Sequence, residues 1–312
     1  MQRRLVLACA TVAIAVLGTT ASPAAAHGTS KAKAVAYDCN NFAAASSLTA
    51  NAAVVGRGDD MIKEPTLNVV TEALPESAEG RGAKNWKTVT VPVWFHVVSD
   101  GEIGNVTQQQ IDDQIRIMNL GYSGFYGGAD QGFRYRLAGV TRTDNAEWFN
   151  AGPGSPAERE MKRALRRGDM GTLNYYSTTA GPYLGWAYLP GLQEPLQYLD
   201  GIVVDWESMF KTSTRYEGRF DLGFTAVHEA GHWFGLEHTF YGGCNANGDF
   251  VDDTPPMKVP TSGCPEGKDT CTREPGLDPI HNFMDYSDDP CYSELTEGQA
   301  LRSKDHWLEF RA

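Results

Sequence analysis

Positive charge is scarce in this chain: 27 Lys and Arg stand against 39 Asp and Glu, a formal net charge of -12 over 312 residues. A chain this acidic is repelled by phosphate, which argues against nucleic acid or an anionic membrane surface as its main partner. Long apolar runs are scarce too. The longest, residues 5–17, falls short of the roughly 20 residues a membrane-spanning helix needs, so no membrane anchor is expected. No internal repeat is present. At 41% hydrophobic and 21% charged residues the bulk of the chain is neither disordered nor fibrous, and its length suits one large domain or two ordinary ones.

The first residues change that accounting. Arg3 and Arg4 precede the apolar run, and Ala24, Ala25 and Ala26 offer a small-residue cleavage site before His27. This is the pattern of a secretory signal peptide over residues 1–26, and the protein is expected to be secreted; a buried N-terminal helix is the alternative. Cys9 lies inside the apolar run and not at its end, which disfavours a lipoprotein anchor. Removing the leader takes the net charge to -14 and leaves five cysteines, of which Cys244, Cys264, Cys271 and Cys291 crowd the last quarter of the chain. In an exported protein such crowding suggests two disulfides in a loop-rich region, with three connectivities open.

Residues 27–85 are rich in Ala, Gly, Ser and Thr and have little to bury, which suits a propeptide or flexible extension. The pattern sharpens over 86–312, read as one catalytic domain. Residues 89–98 are β-rich, Thr107 can cap a helix through Ile111, Ile115 and Met118, and residues 133–140 alternate as a strand. Ser155 opens a second helix that Gly168 stops, and short strands follow at 173–176, 184–189 and 201–205. Beyond about residue 241 Gly, Pro, Asp and Cys dominate. The expected class is α+β: a twisted mixed sheet with packed helices, then an irregular, disulfide-stapled C-terminal lobe.

Chemistry concentrates at residues 228–238, HEAGHWFGLEH. On a helix His228 and His232 are one turn apart on one face, so both imidazoles can reach one ion. Glu229 can point its carboxylate at a water on that ion. Gly235 can take a positive φ, end the helix and bring His238 in from another direction. Three neutral nitrogens with one open position describe a catalytic zinc and not a closed structural one. The competing reading, a helix that happens to carry three histidines, needs five specified positions to coincide.

This extended motif resembles that of the metzincin zinc endopeptidases, and the surroundings resemble the pappalysin, or cytophagalysin, family. The resemblance is carried by residues 238–244, 248–255 and 263–265 and by the run PIHNFMDYSDDPC at 279–291, and covers roughly 89–301. It implies a metzincin-like catalytic domain with His228, His232 and His238 on zinc, Glu229 as general base and acid, Met284 in a turn beneath the imidazoles, and Tyr286 beside the oxyanion. On bare sequence Met284 is equally a core residue and Tyr286 a surface phenol.

The same resemblance implies disulfides Cys244–Cys271 and Cys264–Cys291, calcium held by Asp249, the Val251 carbonyl and Thr254, and an edge strand at Gly185, Trp186 and Ala187 against which a peptide lies extended. Asp288 and Asp289 fall where metzincins build a substrate pocket and would favour a basic residue there. Cys39 suits a latency thiol on the fourth zinc position, although its flanks carry no strong switch motif and a free or intermolecularly paired thiol is the other reading. His96, His281 and His306 are read as structural. The expected activity is that of a secreted, monomeric zinc endopeptidase acting on protein or peptide substrates, with no nucleic-acid partner. Its alternative is an inactive zinc-binding homologue serving as an extracellular binding module.

Overall fold

The β-branched and aromatic run that opens the domain forms strand β1, Val89–Ser99, and its neighbours follow from the same chemistry: β2 at Phe133–Asp144, β3 at Leu173–Thr178, β4 at Gly185–Ala187 and β5 at Ile202–Asp205. This is a computed structural model that describes residues 86–192, 195–245 and 248–312. The expected leader and propeptide, with Cys39, lie outside the described residues. The strands form one sheet in the order β2-β1-β3-β5-β4, parallel throughout except that β4 runs antiparallel to β5. Pro92 sits in β1 without disrupting it because pairing with β3 begins only at Val93, so the strand has a partner on one side there.

Side chains alternate between two cores, as the strand repeat of two requires. Phe95, Val97, Tyr175, Ile202 and Val204 face the larger core with helices α1, Gln108–Tyr122, and α4, Phe224–Trp233. Val98, Tyr176, Trp186 and Val203 face the smaller one with the short helix α2, Ala146–Phe149, and with α3, Pro156–Leu165. Thr107 and Ser155 cap α1 and α3 as expected, each side chain accepting a backbone N–H three residues on. Helix α3 stops at Leu165, short of Gly168, and β4 is shorter than the strand expected at 184–189.

After α4 the chain is irregular apart from one tight turn of helix at Asp289–Cys291. The two disulfides staple this lobe with the pairing Cys244–Cys271 and Cys264–Cys291. The lobe does not stay irregular to its end. Helix α5, Glu297–Phe310, closes the chain, opened by a reciprocal capping box between Thr296 and Gln299. That T-x-x-Q pattern was its one local signal. Its buried face carries Arg302, Ser303 and His306 beside Trp307. No described helix is long and apolar enough to cross a membrane.

Candidate active site

Every residue of α4 is buried, and the helix lies between the sheet and the irregular lobe. His228 and His232 leave it one turn apart. Gly235, at φ +92°, turns the chain back, with the Gly235 and Leu236 amides donating to the carbonyls of His232 and Gly231. That turn delivers His238. The three Nε2 atoms stand 3.0, 3.1 and 3.2 Å from one another.

Their other ring nitrogens explain the aim. His228 Nδ1 lies 2.6 Å from the Phe283 carbonyl and His232 Nδ1 lies 2.7 Å from the Leu236 carbonyl. A carbonyl only accepts, so each Nδ1 carries the proton and each Nε2 turns its lone pair to the centre, the tautomer a metal needs. His238 stacks on Phe240, with ring centroids 4.6 Å apart.

The remaining expected residues fall around this triangle. Glu229 is buried beside β4; a Cβ placed on Gly185 would stand 2.9 Å from both its Cγ and its Oε1. Met284 is fully buried, its sulfur packed against Gly231 of α4. The Tyr286 ring lies 4.7 Å from that of His238 and 4.9 Å from that of Phe240. Of the three edge-strand residues, only Gly185 and Ala187 face α4. The Trp186 indole turns to the opposite core.

Asp249, Val251 and Thr254 come together as a second cluster. The Thr254 hydroxyl lies 2.6 Å from Asp249 Oδ1 and 2.7 Å from the Val251 carbonyl, and the Val251 amide donates to Asp249 Oδ1. Burial pushes the Asp249 carboxyl up to about 7, and its Oδ2 is buried with no hydrogen-bond partner among the described residues.

The expected acidic pocket takes a different form. Arg219 grips Asp288 with two hydrogen bonds of 3.0 and 3.1 Å, and Asp289 is buried, accepting the Leu222 amide. The pairing spans 69 residues, so no local pattern announces it.

The three other histidines among the described residues are structural. His96 donates through Nε2 to Asn174 and accepts from Thr141, and burial lowers it to about 4. His306, also lowered to about 4 chiefly by burial, donates to the Phe234 carbonyl. His281 Nδ1 donates to the Cys291 carbonyl, and the two cysteines near it are joined to each other and so offer no thiolate to a metal.

Helix α5 contributes what sequence reasoning missed. Arg311, His306 and Arg302 donate to the carbonyls of Trp233, Phe234 and Gly235, the last of α4 and the two that follow it. Arg311 also pairs with Asp200, which accepts from the Trp233 indole, and its guanidinium lies 3.6 Å over that ring.

Comparison with known proteins gives this arrangement its relatives. The peptidase M43 family model, described as pregnancy-associated plasma protein-A, matches residues 185–307. An extracellular metalloprotease of Pyricularia oryzae is 41% identical over 260 residues, covering 81% of this chain and 87% of its own. One of Colletotrichum graminicola is 39% identical over 280 residues, covering 84% and 95%. Among solved structures, mirolysin in complex with a small compound is similar with a TM-score of 0.63 and 25% identity, over 71% of this chain and 92% of that one. Mature mirolysin of Tannerella forsythia in complex with a cleaved peptide gives a TM-score of 0.58 and 26% identity, over 70% and 90%.

Proposed function

The chain belongs to the peptidase M43, or pappalysin, family of metalloendopeptidases, and from that premise we propose that it is an exported zinc endopeptidase in which Glu229 moves the proton that peptide hydrolysis requires. The observation that carries the reading is the triangle of Nε2 atoms 3.0–3.2 Å apart, two of them aimed by Nδ1 protons held on backbone carbonyls. A tetrahedral zinc with bonds of about 2.0–2.1 Å separates its nitrogens by about 3.3 Å, so His228, His232 and His238 suit that ion and leave one position for substrate. Zinc bound there supplies a Lewis acid for the scissile carbonyl and acidifies water.

The rest falls to the protein. Gly185 and Ala187 lie at the open edge of the sheet, where an extended peptide adds as a further strand. Without a side chain at 185 the peptide backbone can come close to Glu229. The Glu229 carboxylate takes a proton from the attacking water and returns it to the leaving nitrogen. The Tyr286 phenol, beside His238, donates to the carbonyl oxygen as charge develops on it. Calcium suits the second cluster, where the unpartnered Asp249 Oδ2, the Val251 carbonyl and Thr254 Oγ1 supply hard oxygen donors. The relatives named extracellular metalloproteases support export.

The test is cleavage of casein or a peptide by purified protein, with and without a chelator, beside Glu229→Ala. Wild type should lose activity to the chelator and regain it with zinc. Glu229→Ala should lose about 10³-fold or more in kcat while retaining bound metal. A wild type no more active than the variant would rule the reading out.

A further inference from the structure

Two side chains of the edge segment share one buried anchor on the far side of the sheet. Trp186 Nε1 donates to Glu158 Oε1 at 2.8 Å, and Tyr188 Oη donates to Glu158 Oε2 at 2.9 Å. The same carboxylate accepts the Gly154 amide at 2.6 Å and stands 3.0 Å from Lys162 Nζ. Lys162 in turn donates to the Leu199 carbonyl and lies 4.5 Å over the Tyr188 ring. Both charged side chains are wholly buried. Burial pushes the Glu158 carboxyl up, and Lys162 with the hydrogen bonds it accepts outweighs that, leaving it below its ordinary value.

A buried ion pair is poor value as pure stabilisation, since an apolar pair of similar volume often serves as well. What the carboxylate does, and an apolar group cannot, is hold at once a residue of β4 and the one just past its end, two positions on. That matters here because β4 is only three residues long and has a ladder partner on one side, β5. The Leu184 carbonyl accepts the Asp205 amide, so the backbones of Leu184 and Trp186 turn to β5 and those of Gly185 and Ala187 turn to the open edge. The side chains divide the other way: Trp186 and Tyr188 belong to the core that includes α3, while Gly185 abuts Glu229.

We propose that Glu158 is a positioning residue for the peptide substrate: by holding Trp186 and Tyr188 it fixes the height and twist of β4 over Glu229, and so sets where an added strand lies. The proposal rests on β4 being the peptide-binding edge. Glu158 touches no reacting atom. Its loss should therefore weaken ground-state binding more than the chemical step.

Three variants separate the possibilities, each read as KM and kcat on one peptide series with thermal unfolding alongside. Tyr188→Phe removes one anchor and strands no charge. Glu158→Leu with Lys162→Met removes both anchors and the ion pair together, so no charge is left buried alone. Ala187→Pro removes an N–H from the open edge, where proline is compatible with a strand. The expected result is a KM raised about 3- to 10-fold by Tyr188→Phe and further by the double variant, with kcat within about twofold, and a KM raised by Ala187→Pro. Should Ala187→Pro raise KM while Tyr188→Phe leaves it unchanged, the anchor has no part in substrate placement and the proposal falls. An unchanged KM in Ala187→Pro would remove the peptide-edge premise itself. A lower unfolding temperature without any split of KM from kcat would make Glu158 merely structural, which also overturns the proposal.

Discussion

Replacing Gly185 with alanine tests the catalytic reading at its narrowest point. The added methyl would stand 2.7 Å from the Val203 carbonyl oxygen and 2.9 Å from Glu229 Cγ and Oε1, where ordinary contact begins near 3.4 Å. Val203 is fully buried in β5 and cannot retreat. Either β4 rides outward or Glu229 swings aside, by about half an ångström in both cases. Overpacking of this kind costs about 1–3 kcal/mol of stability. The catalytic cost should be larger in proportion, because a misplacement of about 1 Å in a reacting group is worth about 10²-fold in rate. A kcat lower by about 10- to 100-fold is expected, with a smaller change in KM and with bound zinc unchanged by elemental analysis. The histidine ligands are aimed by the Phe283 and Leu236 carbonyls, neither of which is among the atoms a methyl at 185 would press on, so metal loss is not expected. A folded, zinc-loaded Gly185→Ala protein with kcat within about twofold of wild type would refute the reasoning, because the Glu229 carboxylate could then be displaced without consequence.

Each disulfide closes a loop with a separation of 27 residues, so Cys264→Ala with Cys291→Ala should lower stability by about 3.5 kcal/mol, read in urea unfolding; a loss under about 1 kcal/mol would mean that the lobe holds itself together. Calcium should raise the unfolding temperature of the zinc-loaded protein, and Asp249→Ala should abolish that rise; an equal response in both would place the ion elsewhere. Asp205 is buried, and burial pushes its carboxyl up to about 7, above its ordinary value near 4. Over that window the folded state holds the proton more tightly than the unfolded one, so this group's contribution is fully present below about pH 4 and is lost as pH rises to about 7. In Asp205→Asn the fall in stability between these limits should shrink by up to about 4 kcal/mol, and identical pH profiles would contradict the burial argument.

The parts of this site legible in sequence are those set by short spacings. His228, Glu229 and His232 share one turn of helix, Gly235 announces the bend, and His238 follows three residues on, so local geometry brings them together before any tertiary fold is known. The strands declared themselves through β-branched and aromatic runs, and Thr107 and Ser155 through capping chemistry. The disulfide pairing was not in the residues; it came from likeness to a family. Arg219 with Asp288, Glu158 with Trp186 and Arg311 with Asp200 were illegible because each joins residues 28 to 111 apart, and a polar side chain carries no mark of its distant partner.

Helix α5 shows what such partners accomplish. A helix end leaves its last carbonyls without intrahelical donors, and the end of α4 is buried, where water cannot serve them. Were those carbonyls left bare, the turn at Gly235 would carry several unsatisfied acceptors and the approach of His238 would be poorly determined. Arg302 and His306 of α5, and Arg311 just past its end, meet them one by one, and the two guanidinium groups also suit the negative end of the α4 dipole. Arg302 reaches Gly235 itself, between the second and third histidines. The polar residues of the last helix are therefore part of what buries it, and the geometry of the metal triangle depends on a segment that contributes no ligand to it.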